Sequence, residues 1–468
     1  MQICNHILTC SGTGLLACPC AYSKYLDITS EILARSIVAR LRAAGHQAYL
    51  VGGCVRDLLL GRAPKDFDVA TDARPDRVSE LFERSEQVGA HFGVVLVREN
   101  TSQVEVATFR SDASYSDGRR PDAVRFEGNP RQDAMRRDFT INALLLDPDT
   151  NQVLDFTGGR EDLGRRVIRA IGDPDERFQE DHLRLIRAVR FAARLGFEIE
   201  PDTMAALQRL HGLIVKVSPE RIRDELARIL TEGGARRGFE LLDETGLLGD
   251  ILPEVAAMKG VAQPPEFHPE GDVWTHTLLL LEKLRHPTVT LAAGALLHDV
   301  GKPPTFRVAE RIRFDGHVEE GVRLAHGILT RLRFSNEQVE QIEALIAHHM
   351  RFKDTGQMRE STMKRFMRME NFAEHLELHR LDCLSSNGKL DTYKRVLSRL
   401  AELGEEELRP KPLLTGRDLI EQGYQPGPSF GKMLAAVEDA QLEARVQNKD
   451  EALALVRAQF GEPEHASP

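Results

Sequence analysis

The sequence predicts an α+β protein, with a small mixed-sheet head followed by an all-helical neck, body, further domain and tail. Two observations predict it. Short apolar or alternating segments of strand character cluster between residues 47 and 109. Beyond about residue 155 strand signals thin out and helical periodicity takes over for the rest of the 468 residues. Composition agrees with a folded, water-exposed chain: 41% of residues are hydrophobic and 29% charged, which argues against disorder. No apolar run approaches the roughly 18–20 residues that a membrane helix needs. A net charge of -10 excludes a uniformly basic nucleic-acid binder but leaves room for a local basic face.

The elements follow in order. Residues 30–44 read as an amphipathic helix stopped by Gly45, and Gln47–Val51 as a short strand stopped by Gly52-Gly53. Val55–Leu60 reads as helix, Asp66–Ala70 as a half-buried strand, and Val94–Val97 and Val104–Phe109 as further strands. Helical patterns then cover Asp181–Leu195, Met204–Leu210, Pro219–Leu230, Arg237–Glu244, His276–Leu284, Thr290–His298, Glu319–Leu332, Glu337–His349 and Phe372–Ser385. At least two more helices follow around a Gly/Pro turn. The expected divisions are a disordered extension at 1–26, a head at 27–150, a helical neck and body at 151–260, a helical domain at 261–390 and a tail at 391–468.

Four of the six cysteines, Cys4, Cys10, Cys18 and Cys20, lie in the first twenty residues. Leu-Leu-Ala-Cys18 faintly resembles a lipoprotein cleavage site, but no basic segment precedes it and the apolar stretch is short. With only Cys54 and Cys383 elsewhere, the expected compartment is a reducing cytoplasm.

Two constellations carry chemistry. In the first, a strand runs into Gly52-Gly53 and a helix start with Arg56, a turn that lets backbone N–H groups approach a phosphate. Asp66 and Asp68 then alternate with Phe67 and Val69, so both carboxylates share one strand face and repel unless a cation lies between them. Mg²⁺ prefers such oxygen ligands together with substrate phosphates. Glu105 is a lone acid in an otherwise mostly apolar strand, expected to be buried and to want a metal or a donor. Gly-Gly, Asp-x-Asp and a third acid on a neighbouring strand describe a nucleotidyltransferase palm.

LVGGCVRDLLLGRAPKDFDVATDA resembles the head signature of the class II tRNA nucleotidyltransferase and bacterial poly(A) polymerase superfamily. Three more motifs of that superfamily follow in order. Asp117-Gly-Arg-Arg120-Pro-Asp122 is similar to its flexible motif, Arg136-Arg137-Asp138-Phe-Thr-Ile-Asn142 to its ribose motif, and the stretch from Glu180 through Asp181, Arg184, Arg187 and Arg190 to Arg194 to its nucleobase-selecting motif. The resemblance implies that Asp66, Asp68 and Glu105 are catalytic in a two-metal nucleotidyl transfer, with the Mg²⁺ ions held mainly by the two aspartates. It implies that Gly52, Gly53, Arg56, Arg137, Asp138, Asn142, Asp181, Arg184, Arg187 and Arg190 bind the nucleotide. Asp181 and Arg184 would read the base and Glu180 would brace the arginine. The chemistry is consistent: an acceptor-only carboxylate beside a donor-only guanidinium matches the edges of cytosine and adenine and opposes those of uracil and guanine.

The second constellation, His276, His298-Asp299 and Asp382, resembles the H…HD…D pattern of HD phosphohydrolases, with His317 and His348 as further candidate ligands. Imidazoles plus carboxylates suit Mn²⁺, Ni²⁺ or Zn²⁺, with Mg²⁺ also compatible. Leu414–Gly431 resembles the C-terminal segment of many CCA-adding enzymes, where a glycine turn would hold an RNA phosphate; a structural corner is the alternative. The expected function is addition of the 3′-terminal CCA to tRNA from CTP and ATP, in the cytoplasm and off the membrane. Weighed against it are a CC-adding or A-adding tRNA enzyme, a poly(A) polymerase, and a hydrolase or RNA-binding module with an inactive head. Protein partners are not legible.

Overall fold

The computed structural model describes residues 19–88, 93–112, 118, 124–126, 128–266 and 268–463. The motif at 117–122, apart from Gly118, lies outside the described residues, as do Cys4, Cys10 and Cys18. The chain forms two compact units. One runs through Ala192 and includes Gly196–Lys216; the other takes Ala193–Leu195 and Val217 onward.

The first unit begins with a helix at Pro19–Ala43, longer than the expected 30–44. Leu33, Ala34, Ile37, Val38 and Leu41 fall on one stripe of it and are at most 5% exposed. Burying side chains such as Ile37 and Leu41 contributes roughly 1.5–3 kcal/mol each. The helix packs against the sheet, whose strands are β1 (Ala48–Val51), β2 (Asp68–Thr71), β3 (Ser85–Gln87), β4 (Val94–Glu99), β5 (Ser102–Thr108), β8 (Leu145–Leu146) and β9 (Val153–Leu154). A separate two-stranded ribbon pairs β6 (Arg110–Asp112) with β7 (Val124–Phe126). Strand order in the main sheet is β3-β4-β5-β2-β1-β8-β9. Every pairing is antiparallel except β2 with β5, which sets Asp68 directly beside Glu105.

Two expectations are corrected here. β2 starts at Asp68, so Asp66 precedes the strand rather than lying in it. Glu105 is exposed, not buried: β5 alternates, with Val104 and Val106 in the core and Glu105 on the open face. The short β8 and β9 strands and the Pro75–Leu81 helix had no periodicity long enough to read in the sequence.

In the second unit the helix Val289–Leu297 is the centre. Every residue from Leu291 to Leu297 is buried, so this helix is apolar on all sides and is surrounded by Val273–Glu282, Asn336–His348 and Phe372–Ser385. Its end delivers His298-Asp299. Gly301 has no Cβ, and a Cβ there would lie 2.1 Å from the carbonyl of His317. That close approach brings the helix His317–Arg331 against the turn. In the tail, Thr415 and Asp418 form a capping box on the helix Gly416–Glu421. Leu414, Leu419, Tyr424, Met433 and Val437 bury one face of this corner, and the Tyr424 hydroxyl donates to the carbonyl of Gly461 at 2.7 Å.

Candidate active sites

The palm gathers at the ends of β1 and β2 and at β5. Gly52 closes β1 with φ 78°, a conformation that favours glycine. A Cβ there would meet Arg137 Nη1 at 3.3 Å and Asp68 Oδ2 at 3.9 Å, so a side chain would crowd the site as well as strain the turn. Burial, then the charges of Glu105 and Asp66, push the Asp68 carboxyl up to about 6, with Arg137 acting against them. A cation between these carboxylates would relieve their mutual repulsion. Arg137 is anchored on Asp133 at 2.9 Å.

Behind this face lies a buried polar chain. Arg56, 2% exposed, donates to Asp57 at 2.8 Å and to the Asn142 side-chain oxygen at 2.7 Å. Asn142 in turn donates to Asp138 at 3.1 Å, and Arg187 donates to the other Asp138 oxygen at 2.5 Å. Burial would raise the Asp138 carboxyl, but Arg187, Asn142 and the Phe139 N–H hold it well below the usual carboxylate range. Arg56 is therefore occupied in holding Asn142. Arg56, Arg187 and Arg190 also surround one ring, Phe191, with guanidinium carbons 5.4, 5.3 and 4.1 Å from its centroid.

The nucleobase stripe differs from its expected form. The helix runs Leu183–Leu195, while Asp181 lies in an extended conformation between it and the preceding helix Pro174–Glu180. Asp181 therefore does not share a helix face with Arg184. It is joined to it by a turn, accepting from Leu183 N through its carboxylate and from Arg184 N through its carbonyl. An aspartate that caps the following amide competes with helix continuation. Arg184 is 7% exposed and is held by Glu180 at 2.5 Å and by the carbonyls of Arg177 and Arg136. Arg190 is 3% exposed, whereas Arg187 and Arg194 are half-buried.

In the second unit the structure brings His276, His298 and Asp382 together as one possible ligand group and Asp299, His317 and His349 as another. Among the described residues, groups of three potential ligands within 4.8 Å occur only in this unit; the palm carboxylates are more widely spread. His349 replaces His348. Consecutive helical residues point about 100° apart, so only one of the pair can face the cluster. His348 instead packs against the ring of His375 at 5.9 Å.

Four imidazole nitrogens, the Nε2 atoms of His276, His298, His317 and His349, are buried with no hydrogen-bond partner. Their Nδ1 atoms are all engaged: His298 with the Ala295 carbonyl, His317 with Phe314, His349 with Ile346 and His276 with Glu270. Each tie places a proton on Nδ1 and turns Nε2 toward the cluster; burial works against charge on His276, but Asp382 and Glu270 on its two nitrogens raise it to about 9, so a bound cation would displace its Nε2 proton. The Asp299 carboxylate spans it, with one oxygen 3.2 Å from His298 Nε2 and the other 3.9 Å from His349 Nε2. Lys302, itself buried, lies 2.7 Å from Asp299 and donates to Gln263. Burial disfavours charge on His349 and brings it down to about 4, keeping it a neutral donor of electrons. Orphaned donors of this kind, together with two carboxylates, fit a borderline divalent ion. The cluster opens into a cavity of about 670 Å³ whose lining includes Arg311, Arg313, Lys353 and Lys389.

Three families match the chain. The poly(A) polymerase head domain matches residues 48–169, the probable RNA and SrmB-binding site of polymerase A matches 196–259, and the putative tRNA nucleotidyltransferase domain 2 matches 321–456. A CCA-adding enzyme of Limosilactobacillus fermentum is 32% identical over 415 residues, covering 89% of this chain and 93% of the relative. The chain belongs to the tRNA nucleotidyltransferase and poly(A) polymerase superfamily. Another relative in this superfamily, the CC-adding tRNA nucleotidyltransferase of Thermus thermophilus, is 35% identical and covers 87% of this chain and 93% of its own length. Among solved nucleotidyltransferase structures, the Bacillus stearothermophilus CCA-adding enzyme in complex with CTP aligns with a TM-score of 0.71 and 27% identity, over 92% of this chain and 98% of that one. Residues 260–320, which supply His276, His298, Asp299 and His317, fall between the second and third matched stretches. No helix among the described residues is long and apolar enough to cross a membrane.

Proposed function

We propose that this nucleotidyltransferase adds and repairs the 3′-terminal CCA of tRNA, without a template, from CTP and ATP. The observation that carries the reading is the Asp68–Glu105 pairing beside Gly52, with Asp66 close enough to raise the Asp68 carboxyl. Mg²⁺ held by Asp66 and Asp68 would supply activation of the tRNA 3′-hydroxyl and neutralisation of the triphosphate. Asp138 and Asn142, locked by Arg187 and Arg56, form the wall on which a ribose would rest. Relatives named CCA-adding support the full reaction, whereas the CC-adding relative of 35% identity supports a restricted one. Incubation with tRNA ending at the discriminator base, Mg²⁺ and the four NTPs, singly and as CTP plus ATP, tests both. Two C additions followed by A establish CCA addition; C additions that stop before A establish the restricted enzyme. Run-on addition of A alone would overturn both.

Base choice rests on Asp181 and Arg184. Arg184→Ala is expected to weaken C and A addition and to lower discrimination against U and G by about 10- to 100-fold, since a charge-assisted hydrogen bond is worth roughly 1.5–3 kcal/mol. Competition of the four NTPs measures it, and unchanged selectivity would place base reading elsewhere.

The second unit we infer to be a metal-dependent phosphohydrolase of the HD type, with His276, His298, Asp299, His317, His349 and Asp382 as ligands to Mn²⁺, Ni²⁺, Zn²⁺ or Mg²⁺. Such an ion would polarise water and a phosphoryl oxygen. The chain's own contribution is to orient the donors, and to line the cavity with Arg311, Arg313, Lys353 and Lys389, which favour an anionic substrate.

A further inference from the structure

Three of the four inward-facing histidines are oriented by backbone. His298 and His349 follow the last residues of helices and His317 opens one, so carbonyls three residues earlier are within reach of their Nδ1 atoms at 2.7–2.9 Å. His276 has no such option. It lies inside the helix Val273–Glu282, where carbonyls are already taken by the backbone ladder. Its Nδ1 is instead met at 2.7 Å by Glu270 Oε1, from the loop before the helix, while its Nε2 lies 3.1 Å from Asp382 and 4.0 Å from Asp299. His276 is fully buried and the Glu270 side chain is 7% exposed. The same Glu270 oxygen also meets His268 Nδ1 at 2.9 Å, and the rings of His268 and His276 stand edge to face, 5.0 Å apart.

We propose that Glu270 is the positioning residue of this cluster: it holds the proton of His276 on Nδ1 and so presents the Nε2 lone pair to the metal. The proposal rests on the metal-site reading of the second unit. Glu270 meets His276 at Nδ1, the nitrogen opposite the one near Asp382 and Asp299, so it acts on the ligand rather than with it; its Oε2 is buried without a partner, and His268, Glu270 and His276 also lie close enough to form a group of their own. A carboxylate in this place orients the ring and raises its basicity more than a neutral carbonyl does, and losing such a partner costs metal sites about 10- to 100-fold in affinity. His268 meets the same oxygen and helps fix the carboxylate in place.

The test is Mn²⁺ binding to the full-length, metal-stripped protein, followed by titration calorimetry, with His298→Ala defining the contribution of this cluster. Glu270→Ala is expected to weaken that component by 10- to 100-fold. Glu270→Gln is expected to weaken it less, since an amide oxygen still accepts from Nδ1–H. Both variants should extend tRNA at the wild-type rate, which checks that the protein is folded. Selective ¹⁵N-histidine spectra of the metal-free protein add a readout that packing alone would not move: the His276 Nδ1–H should show the downfield signal of a strong hydrogen bond in wild type and lose it in Glu270→Ala. Glu270→Ala binding Mn²⁺ like wild type, while His298→Ala does not, would overturn the positioning role and leave the metal site standing. Mn²⁺ binding unaffected by His298→Ala would overturn both.

Discussion

Asp68→Asn is expected to abolish CTP and ATP incorporation and, in the same protein, to raise the stability of the metal-free head. Loss of a metal-binding carboxylate should cost roughly 10³-fold or more in rate, or at least about 4 kcal/mol of barrier. The stability gain has a separate cause. In the folded, metal-free protein the Asp68 carboxyl sits at about 6 against an ordinary 3.8, so ionising it opposes folding. A carboxyl raised on folding costs nothing below its unfolded pKa. The cost grows as pH climbs from about 4 to 6 and is fully present above 6. That interval corresponds to at most roughly 3 kcal/mol, and partial exposure of Asp68 lowers the expected gain to about 1–2 kcal/mol. Thermal unfolding of both proteins in chelator at pH 4.5 and 7.5 measures it. The difference should appear at 7.5, shrink at 4.5, and narrow when Mg²⁺ stabilises wild type. A variant that loses activity and also loses stability at pH 7.5 would mean Asp68 is a structural carboxylate.

Asp299→Ala is expected to remove metal-dependent phosphate-ester hydrolysis by 10³-fold or more while leaving tRNA extension intact. It should also lower stability, because Lys302, with 8% of its side chain exposed, loses the carboxylate 2.7 Å from its ammonium. Leaving one member of a buried pair unpartnered costs about 3–5 kcal/mol, here softened by the Gln263 contact. Adding Lys302→Met should return part of that stability and none of the hydrolysis. His298→Ala isolates the chemistry, since it leaves the Asp299–Lys302 pair in place. Hydrolysis of p-nitrophenyl phosphate with Mn²⁺, beside melting curves, separates the two effects. Extension lost in a folded His298→Ala protein would mean that the two sites do not act independently.

The pattern of what was legible in the sequence follows from the range of each signal. Gly52, Asp68 and Glu105 were readable because strand alternation and glycine turns are local and carry fixed geometry. Glu105 is expected to be buried because a strand with one polar residue looks buried until its neighbours are known. Asp181 was read onto a helix because periodicity continues through it, yet its carboxylate captures the Leu183 amide and breaks the register. His348 and His349 differ by one step of about 100°, and only the packing of Asn336–His348 against its neighbours decides which faces inward. Glu270 carried no signal at all: an acid in a loop acquires meaning only when a mid-helix histidine lands beside it. The resemblance makes Arg56 a nucleotide-binding residue, whereas its engagement with Asn142, 86 residues away, is a tertiary fact.

The single parallel pairing in the head also governs when the palm comes into being. Antiparallel β4 and β5 are joined by a tight hairpin and can form early from local contacts. β2 and β5, by contrast, run side by side in the same direction, so the chain between them must first loop out and return before Asp68 meets Glu105. Closing that loop is the slower, non-local event. During refolding from denaturant, helical signal should therefore recover before nucleotide incorporation does. A chain caught at the hairpin stage would expose the flank of β5 that β2 normally covers, making that strand edge the most vulnerable to intermolecular pairing during synthesis.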